Sequence, residues 1–410
     1  MNGTNNRRLW SFGAAAIVAA AALTGGCAAA SGSTTTTVTG TSATAPGCQT
    51  TAPPQQTLDG VRAASLTVPA NPFGLAYAPS GHTAFVALGT QLGVLDTDAF
   101  PPRLARTVPL PSAGLGKEGA TGLALTHDGR ALLVATGSGA IVLDAAKAAA
   151  GQPDAALGTL TGTAGTSAIE VTVSPDDRYA FVSQEYGNTQ TGGRGAIEVF
   201  DLRKALDTGF GPGAAVGAVA LGKAVVGTAL SPDGRRLYAT SQVAADGGQG
   251  QLSVLDLATL ETNPGNSVLR NVPAGCNPVR VAAAPDGKTV WVTARQSNAL
   301  LAFDAATLVT TPGQALLTSV QVGTAPVGLA FARDGSRIVT ADSNRFAAPG
   351  ASTGLTVVDT RAALGGKPAL GRVPTGAFPR EFALSPDGST LLVTDFGSRQ
   401  IQALDTATLP

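Results

Sequence analysis

The stretch Val225-Val226-Gly227-Thr228-Ala229-Leu230-Ser231-Pro232-Asp233-Gly234-Arg235-Arg236-Leu237-Tyr238-Ala239-Thr240 decides the fold. It runs from a short apolar segment through a Ser-Pro-Asp-Gly turn into a second segment of strand-forming residues. Pro presets the negative φ of the second turn position, Asp bonds its own backbone, and Gly takes the left-handed position, so the tetrad joins two antiparallel strands. After a loop, a third run ends in Val254-Leu255-Asp256.

The unit recurs seven times. Its turns are Ala78-Pro79-Ser80-Gly81, Thr126-His127-Asp128-Gly129, Ser174-Pro175-Asp176-Asp177, Ser231-Pro232-Asp233-Gly234, Ala284-Pro285-Asp286-Gly287, Ala332-Arg333-Asp334-Gly335 and Ser385-Pro386-Asp387-Gly388. The spacing suits four strands and their loops, so each repeat reads as one propeller blade. The third run of each repeat ends in Asp96, Asp144, Asp201, Asp256, Asp304, Asp359 or Asp405. A catalytic carboxylate is not needed seven times, whereas a cap that accepts backbone N–H bonds at the start of the next loop is.

The last repeat reaches Pro410 just past its third strand. Residues 62–69, Arg-Ala-Ala-Ser-Leu-Thr-Val-Pro, match the outer-strand segments Arg106–Pro109 and Arg372–Pro374, and are expected to pair with the last blade and close the ring. The expectation is an all-β, seven-bladed propeller over residues 58–410. These repeats resemble the YVTN-type (YncE-like) seven-bladed propellers, close in architecture to the lactonase-type propellers. The resemblance covers roughly residues 58–410 and implies an extracytoplasmic propeller, in a family whose members mostly lack an established reaction. Trp-Asp, kelch and Asp-box signatures are not present.

Ahead of the repeats, Arg7 and Arg8 precede an apolar Ala-rich run from Leu9 to Leu23, then Gly25-Gly26-Cys27. The run is too short for a membrane span and reads as an export signal over residues 1–26. The thiol after two glycines resembles the lipobox of bacterial lipoproteins, which implies diacylation at Cys27 and anchoring on the extracytoplasmic side of a membrane. Leu23 lies one position further from Cys27 than that pattern has it, and conventional peptidase cleavage is the rival reading. Residues 27–57 are mostly Ser, Thr, Ala and Pro, which cannot pack a core and read as a disordered tether.

The chain has 27 Lys plus Arg and 27 Asp plus Glu, and is 44% hydrophobic with 52 Gly and 26 Pro. That balance gives no basic face for a nucleic-acid backbone, and the frequent turn residues favour short strands over long helices. With Cys27 lipidated, Cys48 and Cys276 are the thiols left, and an exported chain with two is a candidate for one disulfide. The 14 residues from Cys48 to Arg62 span at most about 47 Å, so that link requires the tether to lie nearly straight across the surface.

Aligned on their turns, the inner strands carry Gly74, Gly122, Glu170, Gly227, Arg280, Gly328 and Glu381 at one position. Three charges among four glycines at a crowded place must face the channel, because burial between blades is costly. Arg380 likewise breaks the pattern of Phe73, Thr121, Ile169, Val226, Val279 and Val327. The charges read either as a small-ligand site or as ions solvated or paired for structure. Three long loops open on the same face: residues 184–195 with Glu185, residues 242–250, and residues 342–354 with Arg345. They read as a recognition rim or as surface decoration. Ligand binding is therefore expected at Glu170, Arg280, Arg380, Glu381, Glu185 and Arg345.

His82 and His127 are the chain's two histidines, both beside turns on the opposite face, which excludes a His-based triad or His metal cluster. No Cys-x-x-Cys-His occurs, and no Gly run precedes a helix, so neither haem nor a phosphate loop is implied, and no cofactor or metal is expected. The function expected is a lipid-anchored binding or scaffold propeller at the cell envelope. Its partner is an unknown small molecule or envelope protein, and no residue has a catalytic role. The alternative is a lactonase-like hydrolase using Glu170 and Glu381 for acid/base work and Arg280 as oxyanion stabiliser.

Overall fold

The computed structural model describes residues 44–410. The leader expected over residues 1–26 and Cys27 lie outside the described residues. Among the described residues seven four-stranded antiparallel sheets form; in six of them consecutive strands pair from inner to outer, and in the last the outer strand is the first strand of the ring. In the fourth blade these strands are Lys223–Leu230, Arg236–Val243, Gln251–Asp256 and Val268–Pro273. Its turn closes because Ser231 Oγ accepts from Arg236 N at 3.0 Å and donates to Asp233 at 2.5 Å, while Gly234 takes φ 65°. The third blade has Asp177 where most turns have Gly, at φ 57°. Its carboxylate accepts from the N–H groups of His127 and Asp128 in the neighbouring turn, at 2.7 and 3.0 Å, and so ties two blades together.

All seven third-strand aspartates cap. Asp144, Asp201, Asp256 and Asp359 each accept a backbone N–H at a helix start, as from Lys147 N to Asp144 at 2.9 Å. Asp96, Asp304 and Asp405 accept from Asp98, Thr307 and Ala407. The sequence reading had loops here. Among the described residues there are five short helices, such as Ala145–Ala150 and Leu202–Thr208, and four of them start at a capping Asp followed by Ala, Leu or Thr.

The ring closes as expected. Ala63–Thr67 runs antiparallel to Gln400–Asp405, with Ala63 opposite Leu404 and Thr67 opposite Gln400. The core lies between blades rather than at the centre. Phe85 and Leu92 of the first blade pack with Leu132 and Ile141 of the second, and Leu392 and Ile401 of the last meet Val86 and Leu95 of the first. Each such buried side chain stabilises by about 1.5–3 kcal/mol.

Around the axis the inner strands approach closely. Gly122 N donates to Ile169 O at 2.8 Å, and a Cβ on Gly122 would lie 2.7 Å from that oxygen, so no larger residue fits. Hydroxyls on second strands complete the stitching. Thr240, Thr293 and Thr394 donate to the carbonyls of Val279, Val327 and Phe73 on the next inner strand, at 2.6, 2.7 and 2.9 Å.

Residues 44–57, expected to be tether, instead lie on the loop-bearing face as a strap. Cys48 is disulfide-bonded to Cys276, with Cα atoms 5.4 Å apart. Gln49 N donates to Gln296 O, Ala52 N to Thr324 Oγ1, and Thr57 bridges to Arg372 of the sixth blade's outer strand. A polar Pro-rich segment buries little, but the covalent link and these backbone bonds hold it without a core. Among the described residues no helix is long and apolar enough to cross a membrane.

Candidate functional site

The inner-strand position one residue before the glycine and charge ring forms a floor across the channel. Ile169, Val226, Val279 and Val327 pack there as one buried cluster, with Phe73 and Phe378 against it. Branched side chains face one another because each inner strand delivers its residue at the same height. Charges gather on both sides of this floor.

Beneath it, Arg280 forms a two-point ion pair with Glu381, Nε to Oε2 at 3.0 Å and a terminal nitrogen to Oε1 at 2.5 Å. Its other terminal nitrogen donates to Val226 O at 2.6 Å. The two side chains are 7% and 14% exposed. Burial works against the Arg280 charge, but Glu381 and Glu170 outweigh it and hold its pKa above the usual range. Glu170 accepts from Thr228 N at 2.7 Å. Burial pushes Glu170 up to about 7, against the pull of Arg280 and with the push of Glu381.

Above the floor a cavity of about 250 Å³ opens toward the long loops, and the cations there are not matched. Arg380 stacks on Phe73, its Cζ 3.8 Å from the ring centroid, and lies 5.0 and 5.3 Å from Phe378 and Phe396. Its Nε has no hydrogen-bond partner. Burial, not offset by Glu381 and reinforced by Arg280, Arg345 and Arg295, lowers its pKa to about 9, so the guanidinium stays charged at neutral pH. Arg295, at the end of the fifth blade's second strand, is 6% exposed. One terminal nitrogen donates to Gln242 at 2.7 Å, while its Nε also lacks a partner. Burial and then Arg345 lower it to about 10.

The six residues expected to bind ligand therefore divide. Arg380, Arg345 and Glu185 line the cavity and Arg280 reaches its base from below the floor, whereas Glu381, paired with Arg280, and Glu170, which accepts from Thr228 N, do not line it. Arg345 comes from residues 342–354, and Glu185 with the exposed Tyr186 from residues 184–195. Glu118 faces the same cavity. Sequence reasoning missed Arg295, Glu118 and Gln242. For Arg295 the available signal was a charge directly after a second strand in a short loop, close to the axis.

Two further buried carboxylates have structural partners. Asp342 accepts from the Thr356 and Thr340 hydroxyls at 2.5 and 2.9 Å, and burial pushes it up to about 7. Asp395 accepts from Thr375 Oγ1 and Gly376 N, and burial raises it to about 6. On the opposite face His82 contacts Asp98 at 2.6 Å and His127 contacts Asp177 at 2.7 Å. No group of three or more metal-ligating side chains occurs among the described residues.

Fold and cavity together define a seven-bladed propeller with a polar-walled, apolar-floored pocket at one mouth. No protein-family model and no curated protein matches the sequence. Among solved structures the chain is similar to the Kuenenia stuttgartiensis hydrazine synthase, at 19% identity and TM-score 0.64, covering 86% of this chain and 100% of that one. It is also similar to a chain of a mitotic checkpoint complex, at 15% identity and TM-score 0.61, covering 87% of this chain and 92% of that one. At these identities the likeness is one of fold.

Proposed function

We propose that this chain is an exported, lipid-anchored propeller of the YVTN type that binds a small molecule at the loop-bearing mouth and does no chemistry on it. The observation that carries the reading is a pair of buried arginines, Arg295 and Arg380, that line one cavity and each keep an Nε without a hydrogen-bond partner. Buried donors are nearly always satisfied, so two arginines with unspent donors beside one cavity point to a ligand there. The leader and Cys27 supply the export and anchoring half of the proposal, and a buried disulfide partner, Cys276 at 4% exposure, suits an oxidising compartment.

The lactonase-like reading rests on Glu170, whose burial brings it to about 7, within range of a general base. Against it, neither Glu170 nor Glu381 lines the cavity, and Arg280 is committed to Glu381 and Val226 O. A base must reach the proton that it removes.

Equilibrium dialysis of the purified chain against a small-molecule extract, read by mass spectrometry, should retain a few compounds. Ser167→Trp, which fills the cavity, should release them. Equal retention by both proteins overturns the binding reading, and turnover of a lactone panel replaces it with the hydrolase. For the anchor, Cys27→Ser should move the protein from the membrane fraction to the soluble fraction. Membrane retention of the variant would reject lipid attachment.

A further inference from the structure

We infer that the mouth cavity selects a small organic monoanion, with one carboxylate-like head held by Arg295 and Arg380 and an apolar body resting on the valine and phenylalanine floor. This deepens the binding reading above and rests on it.

The head group follows from the donors. Guanidinium nitrogens carry no acceptor capacity, and their unpaired N–H groups are satisfied by an oxyanion more strongly than by any neutral acceptor. Arg295 is nearly fully buried and keeps a free Nε, while Arg380 is fixed by stacking on Phe73 and keeps another. Arg295, Arg345 and Arg380 line the same cavity, so one anion in it meets all three. Neither Arg295, Arg345 nor Arg380 has an ion-pair partner within 4.0 Å among the described residues, in contrast to Arg280.

The charge of the ligand follows from the count around the cavity. Arg280 is matched by Glu381 and, with the buried Glu170 in its protonated form, that leaves Arg295, Arg345 and Arg380 against Glu118 and Glu185. One negative charge balances the set, whereas a polyanion would bring excess charge against the two carboxylates. The apolar body follows from the floor, where Ile169, Val226, Val279 and Val327 are buried and line the space. Pockets for drug-sized molecules begin near about 300 Å³, so a cavity of about 250 Å³ suits a metabolite with one ring or a short chain.

Calorimetric titration with benzoate, phenylacetate and hexanoate, with the matching amides, and with phenyl phosphate and inorganic phosphate tests this directly. At least one carboxylate should bind about tenfold or more tightly than its amide, which corresponds to about 1.4 kcal/mol, and than the two phosphates. Arg380→Gln should weaken that carboxylate about tenfold while leaving amide binding and the melting temperature nearly unchanged. Amides binding as well as carboxylates would overturn the monoanion and leave the binding reading standing. Tighter binding of a phosphate, or no carboxylate binding at millimolar concentration, also overturns it. Retention of neutral compounds in the dialysis experiment would then keep the broader reading alive, and no retention would remove both.

Discussion

Arg280 and Arg380 stand on equivalent inner strands, one position apart in the blade register, yet one has an ion-pair partner and the other has none. Below the apolar floor, Arg280 meets two oxygens of Glu381, a carbonyl and the charge of Glu170. Above it, Arg380 has aromatic faces and no hydrogen-bond partner at Nε. A shift of one residue along a strand reverses the side-chain direction, so neighbouring charges sort to different compartments. The lower set is closed upon itself, as a structural network must be. The upper set is open, as a recognition surface is.

The sharpest way to break this contrast is to remove each arginine in turn. Arg280→Ala leaves the half-buried Glu381 without its cation and should cost about 3–5 kcal/mol in denaturant unfolding. Arg380→Ala loses ring stacking but orphans no anion, and should stay within about 1 kcal/mol of the parent. Equal losses would erase the distinction between network and site.

A smaller effect sharpens it through pH. Glu170 has a folded pKa raised to about 7 from 4.5, so its contribution to stability is greatest below about 4.5 and is lost as pH rises toward 7. The slope is at most about 1.4 kcal/mol per pH unit over that window. Asp342 and Asp395 contribute with the same sign, so the measurement is a difference. Glu170→Gln should flatten the rise in melting temperature seen on acidification from pH 8 to 5. An unchanged pH profile would mean that Glu170 is as well hydrated as a surface acid.

The ring, the caps and the closing strand were legible because each repeats a local rule: a turn tetrad, an Asp after a strand, an outer-strand echo. The charges at Glu170, Arg280, Arg380 and Glu381 were legible as breaks in a register. Their partners were not, since the register gives height along the axis and not which side chains reach across it. Arg295 escaped because it follows a strand into loops of unequal length, where no common position exists to compare. The strap escaped for another reason: residues 44–57 have the composition of a linker, and what orders them is one covalent bond and scattered backbone pairing to distant loops.

The closing strand also sets a waiting time. Ala63–Thr67 is synthesised before any other strand of the ring, and its partner Gln400–Asp405 after all the rest; the contact from Arg62 N to Thr408 Oγ1 spans 346 positions. At ordinary rates of synthesis, roughly 5–20 residues per second, that edge has no mate for about 20 to 70 seconds. A long, flat, β-branched strand would be a template for aggregation over such an interval. Five residues reading Ala-Ala-Ser-Leu-Thr, with a single large apolar side chain, make a poor one, so the segment can idle safely until the last blade arrives.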